Sequence, residues 1–148
     1  MEKSLVLIKP DAVQRGLAGE IISRLEKKGL KIVAMKMLRM DEAMAQRHYA
    51  IHKGKPFYKD LVRFITSAPI IAIVFQGNSA VEAIRQMAGL TDPAEASTGT
   101  IRGDMGMDIG HNLIHGSDSL ENASTEIDLF FTAGDIVSYE REIDRWIY

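Results

Sequence analysis

The segment His115-Gly116-Ser117-Asp118 sets an imidazole, a residue without a side chain, a hydroxyl and a carboxylate in a row. Ser117, Asp118 and Ser119 are N-cap residue types, and Leu120, Ala123, Ile127, Phe130 and Phe131 then recur as along one side of a helix. The tetrapeptide thus stands just ahead of a helix N-terminus, an end whose free N–H groups bind phosphate. Histidine is a nucleophile when neutral, and with an ordinary pKa near ~6.5 much of it is neutral at cytosolic pH. Glu126 follows eleven positions after His115, about two turns into that helix, and reaches the ring or Ser117 only if the chain folds back. Taken alone, such a tetrapeptide reads more readily as a strand end and a helix cap than as a catalytic group.

The bulk properties narrow the chemistry further. The 148 residues make one ordinary domain, residues 1–148, which buries roughly two thirds of its unfolded surface. With 46% hydrophobic and 26% charged residues, the chain has the profile of a globular protein rather than a disordered one. A net charge of −2 supplies no global field toward nucleic acid or an anionic membrane, so no nucleic-acid partner is required and any basic site is local. The absence of cysteine removes disulfides, thiolate nucleophiles and iron–sulfur ligation. The apolar run at residues 5–8 ends at Lys9-Pro10, too short for a signal segment or a membrane span, and a cytoplasmic location is expected.

The elements that must position His115 follow from periodicity. Residues 4–9 read as a buried strand stopped by Pro10. Leu17, Ile21, Ile22 and Leu25 mark a helix closed at Gly29, and residues 30–40 read as a long strand in which Leu30, Ile32, Ala34, Leu38 and Met40 share one parity, broken by Lys36. Asp41 caps a helix running to about Tyr49, and a second short helix starts near Phe57. Residues 70–75 form a central strand, and Ser79 can cap a helix through Val81, Ile84 and Met87 to Gly89. Residues 90–111 hold Pro93, Gly99, Gly103, Gly106 and Gly110 without a sustained period, a loop long enough to be functional. Residues 112–115 read as a short strand that delivers His115 to the next helix. This order predicts an α/β (α+β) sandwich with helices on a small sheet, its strand directions left open.

Three segments resemble one family in type and order: Lys9-Pro10-Asp11-Ala12-Val13, Gly99-Thr100-Ile101-Arg102-Gly103-Asp104 and Asn112-Leu113-Ile114-His115-Gly116-Ser117-Asp118-Ser119. The chain resembles the nucleoside diphosphate kinases over residues 4–148. The resemblance implies a ferredoxin-like antiparallel sheet covered by helices. It implies γ-phosphoryl transfer from a nucleoside triphosphate to a nucleoside diphosphate by a ping-pong route through His115. Glu126 and Ser117 would support the nucleophile, with Tyr49 packed nearby. Lys9, Arg85, Thr91 and Arg102 match the phosphate-binding positions, Asn112 and Lys9 those that bind the sugar hydroxyls, and Phe57 the aromatic that stacks on the base. Stacking accepts any base, which implies broad base and sugar specificity. Magnesium (Mg2+) would be held mostly by the phosphates, with Asp118 the matching carboxylate, through water. The chain has neither G-x-x-x-x-G-K-[ST] nor G-x-G-x-x-G, so side chains must hold the nucleotide. The tail at residues 144–148 is similar to that of the hexameric members, favouring a homohexamer over a tetramer, while Thr98 stands where many relatives carry proline.

Two other readings compete. His48 with His52, and His111 with His115, stand at i, i+4 as in some metal hydrolases. The first pair lacks the glutamate of H-E-x-x-H, and a strand at the second would hold its rings too far apart to share an ion. A non-catalytic nucleotide-binding module has the same fold options but no need of the nucleophile.

Overall fold

The computed structural model describes residues 1–148. A four-stranded sheet in the order β2-β3-β1-β4 is built from β1 (Glu2–Ile8), β2 (Lys31–Leu38), β3 (Ile70–Gly77) and β4 (Ile114–Gly116), and every neighbouring pair is antiparallel. Helices α1 (Pro10–Gln14), α2 (Ala18–Lys27), α3 (Glu42–His48), α4 (Tyr58–Ile65), α5 (Ala80–Ala88), α6 (Ile101–Met105) and α7 (Leu120–Phe130) complete an α+β, ferredoxin-like architecture.

The central strands read as continuous apolar runs because both faces of the sheet are covered. Leu5, Leu7, Ala72 and Val74 pack on one face with Ala45 of α3, Tyr49 at its C-cap, Val62 and Ile65 of α4 and Phe130 of α7. Val6, Ile8, Ile73 and Phe75 pack on the other with Ile21, Leu25, Ile84 and Ile101 from α2, α5 and α6. β3 lies between β1 and β2, the central place its composition predicts.

Four local expectations are corrected. The shared parity along β2 does not mean a shared face, because the register slips between Ile32 and Ala34. That bulge turns Leu30 and Ile32 to one face and Ala34 and Met40 to the other. The extra residue, Val33, has its carbonyl satisfied by the N–H of Val137 at 2.8 Å. Residues 90–111 are not structureless, since Thr100 caps α6 there. Ser79 does not cap α5; it sits in the left-handed region at φ 50°, and the Val81 N–H donates to the Glu2 carboxylate at 3.3 Å instead. Residues 112–115 are not one strand. Leu113 is left-handed at φ 75°, the Ile114 N–H closes onto the Asn112 carbonyl at 2.8 Å, and pairing with β1 begins only at Ile114.

The capping residues at Asp41 and Ser119 behave as their types dictate: each accepts a backbone N–H, from Met44 at 2.8 Å and Asn122 at 3.0 Å. No helix is long and apolar enough to cross a membrane.

Candidate active site

His115 occupies the middle of β4, opposite Leu7 of β1, and points into a cleft of roughly 1460 Å³. α7 runs back past it, so Glu126 does return to the ring. Glu126 Oε1 lies 3.0 Å from His115 Nε2 and accepts the Ser117 hydroxyl at 2.6 Å. Ser117 is fully buried and its oxygen accepts the Leu5 N–H at 3.3 Å, which ties the group to the sheet. Burial alone would push the Glu126 carboxyl up; the bonds and charge of His115, with the Ser117 hydroxyl, outweigh it and hold the group below its ordinary value. An ionised carboxylate only accepts, so the proton of a neutral His115 sits on Nε2 and Nδ1 keeps its lone pair.

Tyr49 is buried next to this group, and burial followed by the Glu126 charge pushes its phenol up to about 12. It stays protonated. Between Tyr49 and His115 stands His48, with ring centroids 4.6 Å from Tyr49 and 4.8 Å from His115, both edge to face. Burial, then the charge of His115, lowers His48 to about 3, and neither of its nitrogens has a hydrogen-bond partner. It is a neutral ring packed against His115. The spacing with His52 drew attention to His48 for the wrong reason; its place three residues after buried Ala45 on α3 was the usable signal.

The opposite wall carries the cations. Lys9 Nζ donates to Asn112 Oδ1 at 2.8 Å, and Asn112 Nδ2 donates to the Thr91 carbonyl at 3.0 Å. Burial, then the neighbouring Arg102, lowers Lys9 to about 8 against the opposing pull of Asp11. Arg102 spends Nε, Nη1 and Nη2 on the carbonyls of Asn112, Gly89 and Ile114 at 3.1, 2.9 and 2.6 Å. A guanidinium has five N–H groups, so two remain for a ligand. Burial and the charge of Arg85 on α5 lower Arg102 to about 10.

Arg102 is aimed by α6, which is anchored from below. Asp104 accepts Arg24 at 2.7 Å and the Gly99 N–H at 2.7 Å, while Arg15 donates to the Met105 carbonyl at 2.7 Å. Gly103 admits no side chain, since a Cβ there would collide with the Ser97 carbonyl.

Phe57 is 46% exposed at the cleft mouth, edge-on to His52 at 5.4 Å, and so is not a core residue. Asp118 lines the same cleft and accepts Asn122 Nδ2 with one oxygen at 2.5 Å. All the candidates named from the sequence line this one cleft except Ser117, which is buried behind Glu126. No cluster of three or more His, Asp or Glu side chains is arranged to hold a metal ion.

An imidazole with one nitrogen fixed, facing a wall of desolvated cations, is suited to transferring an anionic group. The comparisons with known proteins agree. The family model "Nucleoside diphosphate kinase" matches residues 2–136. A nucleoside diphosphate kinase of Thermomicrobium roseum is 57% identical over 147 residues, 99% of either chain. The structure of a halophilic nucleoside diphosphate kinase from Halobacterium salinarum in complex with CDP superposes with TM-score 0.97 at 50% identity, covering 99% of this chain and 98% of that one. A nucleoside diphosphate kinase family protein from Babesia bovis superposes with TM-score 0.97 at 44% identity over the whole of both chains. The chain belongs to the nucleoside diphosphate kinase family. It is a phosphotransferase acting between nucleoside triphosphates and diphosphates.

Proposed function

We propose that this transfer is ping-pong, with His115 Nδ1 as the group that carries the phosphoryl between substrates. The observation behind this reading is the 3.0 Å contact of Nε2 with Glu126, which commits one nitrogen and leaves the other free in the cleft. Nδ1 attacks the γ-phosphorus of a nucleoside triphosphate; a P–N bond forms, the bond to the β,γ-bridging oxygen breaks, and the diphosphate leaves with that electron pair. The terminal oxygen of an acceptor diphosphate then attacks phosphorus, the P–N bond breaks and the imidazole is restored. Glu126 keeps the proton on Nε2, where it offsets the charge arriving on the ring. Lys9, Arg85 and Arg102 hold the phosphate oxygens, since phosphoryl transfer is accelerated mainly by placement and charge. The Thr91 hydroxyl serves the same phosphates.

Asn112 and Lys9 bind the sugar, and Phe57 stacks on the base without reading its edge, which gives broad base and sugar specificity. The CDP bound by the halophilic relative suits such a site. Asp118 supplies one oxygen, the donor type for Mg2+, a hard cation that keeps most of its water and phosphate ligands. When bound, Mg2+ neutralises charge on the triphosphate.

The unit is one domain, residues 1–148, working in the cytoplasm as a homo-oligomer. Met107 and Trp146 are 87% and 80% exposed, a cost that burial between copies would remove. A hexamer is favoured over a tetramer, and light scattering distinguishes them.

The test is intact mass after brief exposure to Mg-ATP without acceptor. One acid-labile phosphoryl group per chain, mapped to His115 and discharged by GDP to give GTP, is expected. Binding of nucleotide without an adduct would leave a binding module instead.

A further inference from the structure

Between the sugar-binding Asn112 and the strand that carries His115 lies a turn whose geometry is costly. Leu113 adopts φ 75°, and the Ile114 N–H bonds to the carbonyl two residues before it at 2.8 Å. A three-residue turn of this hand is rare and strained, and for a bulky residue a positive φ persists only when the surroundings impose it. Leu113 is fully buried, so its side chain is fixed in the core while its backbone is held in an unfavourable well.

All three carbonyls of the turn, and the N–H of Leu113 at its apex, are gripped from outside it. The Asn112 and Ile114 carbonyls accept Arg102, and the Leu113 carbonyl accepts the Lys9 N–H at 2.9 Å. The Leu113 N–H is held by a side chain: it donates to Asp11 Oδ2 at 3.1 Å, across 102 positions of sequence. The other carboxylate oxygen, Oδ1, is buried with no hydrogen-bond partner. A desolvated carboxylate oxygen left unpaired carries a cost that helix α1 does not need, since any N-terminal acid could face its dipole from solvent.

We propose that Asp11 is a positioning residue for the phosphoryl transfer, its carboxylate pinning the strained turn at Leu113 so that the His115 imidazole and Asn112 are held in register. The inference rests on the reading of His115 given above. Asp11 touches neither nucleotide nor phosphorus; it acts through the Leu113 N–H. The side chain of Asn112 has its own bonds to Lys9 and Thr91, whereas the position of His115 along β4 depends on where the turn ends. Loss of the pin therefore falls on the rate of transfer more than on nucleotide binding.

The test compares Asp11→Ala with Asp11→Asn. Both remove the negative charge beside Lys9, and only the amide keeps an acceptor for the Leu113 N–H. The rate of His115 phosphorylation at saturating Mg-ATP, KM and the thermal midpoint are read on all three proteins. Asp11→Ala is expected to slow the step on the order of 10- to 100-fold, with a smaller change in KM, and Asp11→Asn to recover most of that loss. Equal rates for the two variants would overturn the inference, whatever their midpoints, as would an unchanged rate in Asp11→Ala. If the wild-type protein itself gains no phosphoryl group, the His115 reading fails first, and that outcome is visible in the same experiment.

Discussion

The two walls of the cleft are built on opposite electrostatic terms. On the β4–α7 side, Ser117, Glu126 and His115 satisfy one another in a closed chain of hydrogen bonds. On the other side, Lys9 and Arg102 crowd like charges into a poorly solvated corner with the exposed Arg85 of α5 beside them, and both Lys9 and Arg102 are held below their ordinary values. One wall is complete without substrate; the other is completed by an anion. In the proposed reaction, the first wall orients the nucleophile and the second draws the phosphates.

The largest expected effect falls on His115, the proposed nucleophile. His115→Ala should lower steady-state turnover on the order of 10⁴-fold or more while nucleotide still binds, measured by a coupled assay and by calorimetry. Substantial remaining transfer would remove His115 from the reaction. Next comes Glu126→Gln, which keeps the shape but can turn its amide N–H toward Nε2 and favour the wrong tautomer. A loss of turnover between about 10- and 100-fold is expected with KM little changed. A loss confined to KM would place Glu126 with the binding wall instead.

Phe57→Ala tests the binding side without touching the cations. Stacking contributes about 1–3 kcal/mol per base, so KM should rise on the order of tenfold for purine and pyrimidine nucleotides alike while kcat holds. A selective rise for one base would mean that the ring reads identity.

The smallest effect is on stability, and its sign distinguishes the walls. Lys9 falls from 10.5 unfolded to about 8 folded, so between those values the unfolded chain binds more protons and stability rises with pH. Below that window the buried charge costs about 3 kcal/mol. If Lys9 binds the phosphates as proposed, activity should fall over the same rise through about 8. Glu126 has the opposite character: its carboxyl is depressed, so its stabilisation is present above the unfolded value and lost as pH falls through the folded one. Lys9→Met, which also loses the bond to Asn112, should raise the thermal midpoint of the nucleotide-free protein by roughly 2–6 °C near neutrality. A lowered midpoint would mean that the cation wall is not under strain.

The sequence made the chemistry more legible than the turns that aim it. The strands β1 and β3 stood out because burial on both faces leaves unbroken apolar runs. β2 was misread because a bulge at Val33 reverses which face a given parity occupies, and no residue type announces it. α1 and α6 span five residues each, too few for a period to show. The left-handed Leu113 carries no glycine to mark it, so the tight turn before β4 was invisible. Glu126 was placed by helix period alone, but its return to His115 depended on the crossing of α7 over β1, a tertiary fact. Arg102 was identified by resemblance as a phosphate ligand; that three of its nitrogens hold backbone carbonyls could be seen only in the fold.

The most direct test of the account is heteronuclear NMR of the protein labelled with 15N in its histidine rings, before and after Mg-ATP. The account predicts that free His115 carries its proton on Nε2, and that phosphorylation produces a phosphorus coupling at Nδ1 alone. A proton on Nδ1 with phosphorus on Nε2 would contradict it, because the contact with Glu126 would then oppose the reaction rather than prepare it.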